Sequence, residues 1–222
     1  MNGGTDPAVL VIAIDGPAAS GKGTLSARLA AHYGFPRLDS GRLYRAAARH
    51  LRDAGGDADD EAAATRVARA VTPQELDDPA LGADDIAVLA SRISAYSGVR
   101  AALLALQQNF AAHPPGGARG AIIDGRDIGT QVCPGAQIKL FVTASLETRA
   151  ERRLKQLQAE GQTSIKARVL HDMRERDARD SARALSPLKQ ARDAHLVDTT
   201  SLDADQAFET ALALIEAHRP RD

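Results

Sequence analysis

The apolar, β-branched run Val9-Leu10-Val11-Ile12-Ala13-Ile14 stops at Asp15-Gly16-Pro17, and a helical pattern starts at Lys22. A continuous apolar run of that length reads as a strand buried on both faces, as in a parallel sheet. Lys22 to Tyr33 carries Leu25 and Leu29 four apart, and Gly34 is a C-terminal stop. The same grammar repeats along the chain. Phe35 to Asp39 is a brief strand, and Gly41 to Ala54 a helix closed by Gly55-Gly56. Ala121-Ile122-Ile123-Asp124, Ile138 to Val142 and His195-Leu196-Val197-Asp198 are further strands. Ile86 to Phe110 predicts two helices with a break near Ser97-Gly98, and Pro114 to Gly117 a turn. Ser145 caps a helix running to about Gly161, with Glu147 in its first turn, and another helix spans about Ser164 to Ser181. Asp203 to His218 is a last amphipathic helix. Strands alternating with helices predict an α/β fold, a parallel sheet covered on both faces. Between them, residues 52–85 hold ten acidic and three basic side chains and no core strand, so they read as a largely helical insert.

The connection between the first strand and first helix is Gly16-Pro17-Ala18-Ala19-Ser20-Gly21-Lys22-Gly23-Thr24. Gly16, four residues, then Gly21-Lys22 is the P-loop spacing. Glycines let backbone N–H groups turn inward around a phosphate. The helix N-terminus adds its partial positive charge, and Lys22 a mobile full one. The chain has only 5 lysines against 23 arginines, so a lysine at this position carries weight. The residue after it is Gly23, and the hydroxyl comes one place later at Thr24.

Composition narrows the class. Lys plus Arg is 28 and Asp plus Glu 29, and aromatics are 3%, which argues against a nucleic-acid binder. One cysteine, Cys133, suits a reducing compartment. The polar Met1 to Pro7 has no basic region, and no apolar run reaches membrane length, so a cytoplasmic protein free of membrane contact is expected. The only asparagines are Asn2 and Asn109, so the Asn-Lys-x-Asp motif of a GTPase is missing. Residues 149–183 contain ten Lys or Arg and six Asp or Glu. Arg149, Arg152 and Arg153, then Arg176, Arg179 and Arg183, arm two successive helices suited to closing over a phosphate chain. A small kinase acting on a small acceptor is what remains.

Four motifs in order resemble the bacterial cytidylate (CMP) kinases. They are Ile12 to Thr24, Asp39-Ser40-Gly41-Arg42-Leu43-Tyr44-Arg45, Asp124-Gly125-Arg126-Asp127-Ile128-Gly129-Thr130, and Arg176 to Arg183 followed by Ser186-Pro187-Leu188. The resemblance implies a nucleoside-monophosphate-kinase fold and transfer of a phosphoryl group from ATP to CMP or dCMP with Mg²⁺. It implies one domain over 1–222, with a core at about 8–60 and 115–222, an acceptor-binding part at about 61–113 and a mobile lid at about 150–180. Gly16, Pro17, Ala18, Ala19, Ser20, Gly21, Lys22, Gly23 and Thr24 would hold ATP. Arg45, Arg126 and Arg176 would hold the acceptor phosphate. Asp180 and Arg183 would face the ribose. Ser40 and Tyr44 would line the pocket, with Ser91, Arg100 and Asp127 nearest cytosine. Lys22, Arg126, Arg149, Arg153 and Arg179 would be catalytic, with Arg152 adding lid charge. Thr24 and Asp124 would serve Mg²⁺ through water, with Asp39 a similar candidate. The pocket chemistry is consistent: an Asp accepts from the cytosine amine while an Arg and a hydroxyl donate to N3 and O2.

One feature departs from many members. The segment Val71 to Asp85 is shorter and acidic, and the usual Ile-Arg-Ser/Thr-like stretch stands as Leu81-Gly82-Ala83. Residue chemistry alone leaves open a P-loop kinase for UMP or another metabolite, and an ATP-dependent binding module. A monomer is expected.

Overall fold

The computed structural model describes residues 9–219. A five-stranded, wholly parallel sheet runs in the order β2-β3-β1-β4-β5. The strands are β1 (Leu10–Asp15), β2 (Arg37–Asp39), β3 (Gly120–Gly125), β4 (Ile138–Thr143) and β5 (His195–Asp198). The central strand β1 sits between β3 and β4, which is why its sequence is apolar on both faces. Each predicted strand is found, shifted by no more than a residue or two. The predicted start at Val9 is the first described residue, and Met1 to Pro7 lie outside the described residues.

The described residues form eight α-helices: α1 (Lys22–Tyr33), α2 (Ser40–Asp53), α3 (Glu61–Ala68), α4 (Asp84–Ile93), α5 (Ser97–Ala112), α6 (Leu146–Ala159), α7 (Lys166–Ala182) and α8 (Ala204–His218). Side chains alternate across β1. Ile12 and Ile14 pack with Leu25 and Leu29 of α1 and Ala211 and Ile215 of α8. Ala13 points to the other layer, formed by α2 to α5 with Leu43, Leu51, Ile86 and Leu103. A third, small cluster of Ala150, Leu157, Val169 and Met173 joins α6 to α7. This helical pair therefore carries its own core, separate from the two that flank the sheet.

The acidic insert contains no strand. Its helix α3 is followed by two 3₁₀ turns, Pro73–Asp77 and Pro79–Gly82, each opened by a proline that supplies a preset φ. Asp78 caps the second by accepting from Ala80 N. The helix break predicted near Ser97-Gly98 comes earlier, over 94–96, and Ser97 opens α5. Ser145 accepts from Thr148 N at 3.2 Å, the predicted cap of α6. No sequence signal announced the single π-helical turn at Ile128–Val132, whose i to i+5 bonds run from Val132 N to Asp127 O and from Cys133 N to Ile128 O. No helix among the described residues is long and apolar enough to cross a membrane.

Gly16 fixes how the loop leaves β1. Its φ is +153°, and a Cβ there would lie 2.0 Å from the carbonyl oxygen of Val142. Gly16→Ala is expected to lower stability by about 2–4 kcal/mol, because a backbone atom cannot move aside. Thermal melting should show a fall of roughly 5–15 °C.

Candidate active site

The loop of residues 16–21 curls over the carboxyl end of β1, with Gly16, Ala19 and Gly21 all at positive φ. α1 begins at Lys22 with no side-chain cap, so its first backbone N–H groups stay free to face an anion. Lys22 Nζ donates to the loop's own Pro17 carbonyl at 3.3 Å. Burial and then the neighbouring Arg126 push the lysine down to about 7, with Asp124 and Asp39 pulling the other way. A lysine held that low is poised for a nearby negative charge.

Loop, sheet ends and helices enclose one cavity of about 670 Å³. It lies beyond the carboxyl ends of the strands, where parallel sheets bind their ligands. Its wall contains Ala18, Ala19, Lys22 and Gly23 of the loop, and all ten predicted acceptor residues: Ser40, Tyr44, Arg45, Ser91, Arg100, Arg126, Asp127, Arg176, Asp180 and Arg183. Arg153 of α6 and Arg179 of α7 complete it.

Two buried acids organise the arginines. Asp180 accepts from Arg126 Nε at 3.0 Å through one oxygen and from Arg183 through the other. Burial alone would raise this carboxyl, but Arg126, Arg183 and Arg176 outweigh it and hold it below the usual range. Asp127 pairs with Arg100, whose guanidinium lies 5.5 Å above the Tyr44 ring centre. Beside them Ser91 Oγ is buried without a partner. Arg176 has no compensating contact at Nε, which is also buried and unpartnered. Burial, and then Arg126, bring it down to about 10. Arg45 spends one nitrogen on the carbonyls of Leu81 and Gly82, at 2.8 and 3.2 Å. Those carbonyls belong to the Leu81-Gly82-Ala83 stretch of the acidic insert. Arg153 pairs with Asp84 at the start of α4, so α6 touches the acidic insert.

Of the predicted site residues, Gly16, Pro17, Ser20, Gly21, Thr24, Arg149 and Arg152 are absent from the cavity wall. Arg149 is buried under the loop, donating to Asp177 at 2.7 and 3.2 Å, to Ala144 O at 3.0 Å and to Ala18 O at 3.4 Å, and is absent from the cavity wall. Thr24 is exposed on α1, also outside the wall. Asp124 is in the wall beside Asp39. Both bonds given to Asp124, from Ser26 Oγ at 2.9 Å and Arg37 Nε at 2.8 Å, fall on Oδ1. Its other oxygen is left for the cavity. Hard oxygen donors of this kind fit Mg²⁺, which takes one or two carboxylates together with phosphate and water oxygens.

Three contributors were missed in the sequence. Asp15 is buried and accepts from Ile128 N at 2.7 Å and Gly129 N at 2.8 Å, fixing the turn after Arg126-Asp127 to the base of the loop. Burial raises it to about 6. Ser94 accepts from Arg183 Nη2 at 2.8 Å through its hydroxyl and from Arg100 Nη1 at 3.2 Å through its carbonyl. Asp84 engages Arg153. Asp15 stands within the Ile12 to Thr24 motif, but nothing local marks its bonds to Ile128 and Gly129, and Ser94 and Asp84 sit in no motif. The acidic first turn of α4 was the only legible hint.

Comparison with known proteins places the chain among relatives of one family. The model of the family described as cytidylate kinase matches residues 12–217. A cytidylate kinase of Paramagnetospirillum magneticum is 57% identical over 209 residues, covering 94% of this chain and 99% of its own. One from Xanthobacter autotrophicus is 56% identical over 210 residues, covering 95% and 99%. Among solved structures, a Thermus thermophilus protein matches with a TM-score of 0.54 at 22% identity, covering 96% of this chain and 100% of its own. An uncharacterized Eubacterium ventriosum protein matches at 0.56 and 15%, covering 94% and 99%. These two likenesses speak to the fold alone.

The orphaned donor on Arg176 has a stability consequence. Removing it with Arg176→Met is expected to stabilise the ligand-free protein by about 1–3 kcal/mol, because a buried unsatisfied group disappears. Differential scanning calorimetry without ligand should show a melting temperature roughly 2–10 °C higher. A lower one would mean that Arg176 is already compensated.

Proposed function

The chain belongs to the cytidylate kinase family, and on that basis we propose that it transfers the γ-phosphoryl group of ATP to CMP or dCMP, giving ADP and CDP or dCDP. The observation that carries the reading is one cavity that holds both the loop lysine and an Asp127–Arg100–Ser91 set suited to a cytosine edge. Arg126 and Arg176 lie between these roles, near enough to Lys22 to depress its pKa.

In this reading the loop N–H groups, the start of α1 and Lys22 hold the donor phosphates. Arg45, Arg126 and Arg176 hold the acceptor phosphate, which is largely ionised at neutral pH and needs no strong base. Asp180 and Arg183 face the ribose, and Ser40 and Tyr44 complete the wall. Asp127 accepts from the cytosine amine while Arg100 and the unpartnered Ser91 hydroxyl donate to N3 and O2. Arg153 and Arg179 approach from the lid, 150–180, and stabilise charge spreading over the transferring oxygens while water is kept out. Arg149 acts from beneath the loop, bracing the Ala18 carbonyl that it touches. The core and the acceptor part, about 61–113, supply the remaining walls. Asp124, with Asp39 beside it, would hold Mg²⁺; the exposed Thr24 is farther from that role. When bound, the ion neutralises charge on the β- and γ-phosphate oxygens. We read the enzyme as a cytoplasmic monomer with no nucleic-acid partner.

The test is ADP release with CMP, dCMP, UMP and AMP as acceptors. CMP and dCMP should be turned over far better than UMP, because uracil opposes a carbonyl to the Asp127 carboxylate. Two buried acceptors facing each other cost about 1–3 kcal/mol, so Asp127→Ala should narrow the CMP-to-UMP ratio by roughly 10-fold or more. Equal use of CMP and UMP by the wild-type protein would refute the base assignment.

A further inference from the structure

Thr199, the residue just after β5, is 2% exposed and was singled out by no motif. Its backbone N–H donates to Thr143 O at 2.8 Å, at the end of β4. Its hydroxyl oxygen lies 2.8 Å from the carbonyl of Ser20 and 3.1 Å from that of Thr143. Arg152, on α6, donates to the same oxygen at 2.9 Å through Nη1, and through Nη2 to the Thr199 and Leu202 carbonyls at 2.7 and 3.3 Å.

A hydroxyl has one proton to give. Arg152 occupies a lone pair of this oxygen, and Thr143 O already receives the Thr199 N–H, so the proton goes to Ser20 O, the nearer acceptor. Ser20 and Gly21 share a trans peptide plane, in which C=O and N–H point in opposite directions. Holding the Ser20 carbonyl outward on Thr199 therefore turns the Gly21 N–H inward, toward the hollow of the loop. The plane needs such an anchor, since Gly21 sits at φ +89° and glycine resists rotation least of all residues. The packing is close: a Cβ on Gly21 would lie 3.7 Å from Arg152 Nη1 and 3.9 Å from Thr199 Oγ1.

We propose that Thr199 is a positioning residue for the phosphate loop: its buried hydroxyl, held by Arg152, fixes the Ser20–Gly21 peptide so that the Gly21 N–H faces the donor phosphates. This rests on the reading that the loop binds ATP. It also gives α6, which carries Arg153, a direct mechanical tie to the loop.

The experiment compares Thr199→Ser with Thr199→Ala, which differ only in the hydroxyl, and adds the near-isosteric Thr199→Val. ATP binding is measured by equilibrium dialysis, and both KM values by two-substrate kinetics. The Ala and Val variants should raise the Kd and KM for ATP by about 10-fold, the effect of losing one anchored hydrogen bond, and leave the CMP KM unchanged. The Ser variant should restore most of the ATP affinity. If Val fails to fold, the Ser and Ala pair decides. Equal ATP affinity in Ser and Ala overturns the proposal, and so does a joint rise of both KM values, which marks a general structural defect. Lys22→Ala is the control on the underlying reading: if it leaves ATP binding intact, the loop is not the ATP site and the role of Thr199 falls with it.

Discussion

An excess of half-buried positive charge around one cavity governs this structure. Asp180 compensates Arg126 and Arg183, Asp127 compensates Arg100, and Asp84 compensates Arg153. The balance then runs out. Lys22 is driven to about 7 and Arg176 to about 10, each first by burial and next by Arg126. A protein selected only for stability would remove such groups, since buried unpaired cations are costly. Their presence makes sense if anions supply the missing charge, as the phosphates of the two proposed nucleotide substrates would. The site is built to be completed by its substrates.

The fold brings these groups together from distant parts of the chain. The loop after β1 brings the lysine, the turn after β3 brings Arg126 and Asp127, and α7 with the residue that follows it brings Arg176, Asp180 and Arg183. Parallel strands make this possible because all of them end on the same side of the sheet. Asp15 then binds the first two pieces through the backbone N–H groups of Ile128 and Gly129. The acidic insert is held by the opposite device. Arg42, Arg45, Arg49 and Arg52 line one face of α2, and they reach Leu76 O, Leu81 O, Asp78 and Asp85 respectively. Exposed pairs such as Arg52–Asp85 add little stability. The carbonyl contacts of Arg42 and Arg45 fix where the insert sits against the cavity.

The parts legible in the sequence were those written locally. Continuous apolar runs gave the strands, and glycine spacing gave the loop. Ser145 announced a helix start because capping is decided within four residues. The remainder depends on which way a helix faces once packed. Arg149 and Arg153 are one turn apart on α6, yet one turns under the loop to Asp177 while the other reaches the cavity. Thr24 follows the lysine closely in sequence but sits on the outer face of α1. Asp15, Ser94 and Thr199 act across more than fifty residues or through main-chain groups, and neither leaves a spacing to read. The basic face of α2 did leave one, at intervals of three and four opposite an acidic segment, and it is the signal that a closer reading would have used.

The claim that the site cations await their anions is tested most directly by proton exchange on binding. At pH 8 the phosphates of ATP are fully ionised, while a lysine with a pKa near 7 is mostly neutral in the free protein. Phosphate raises that pKa, so binding must take up a proton, and affinity must fall as pH rises above 7. Isothermal titration calorimetry of ATP binding at pH 8, in buffers of different ionisation enthalpy, measures this uptake. The account predicts an uptake approaching one proton per site, markedly smaller in Lys22→Met. No uptake, or a net release of protons, would contradict it.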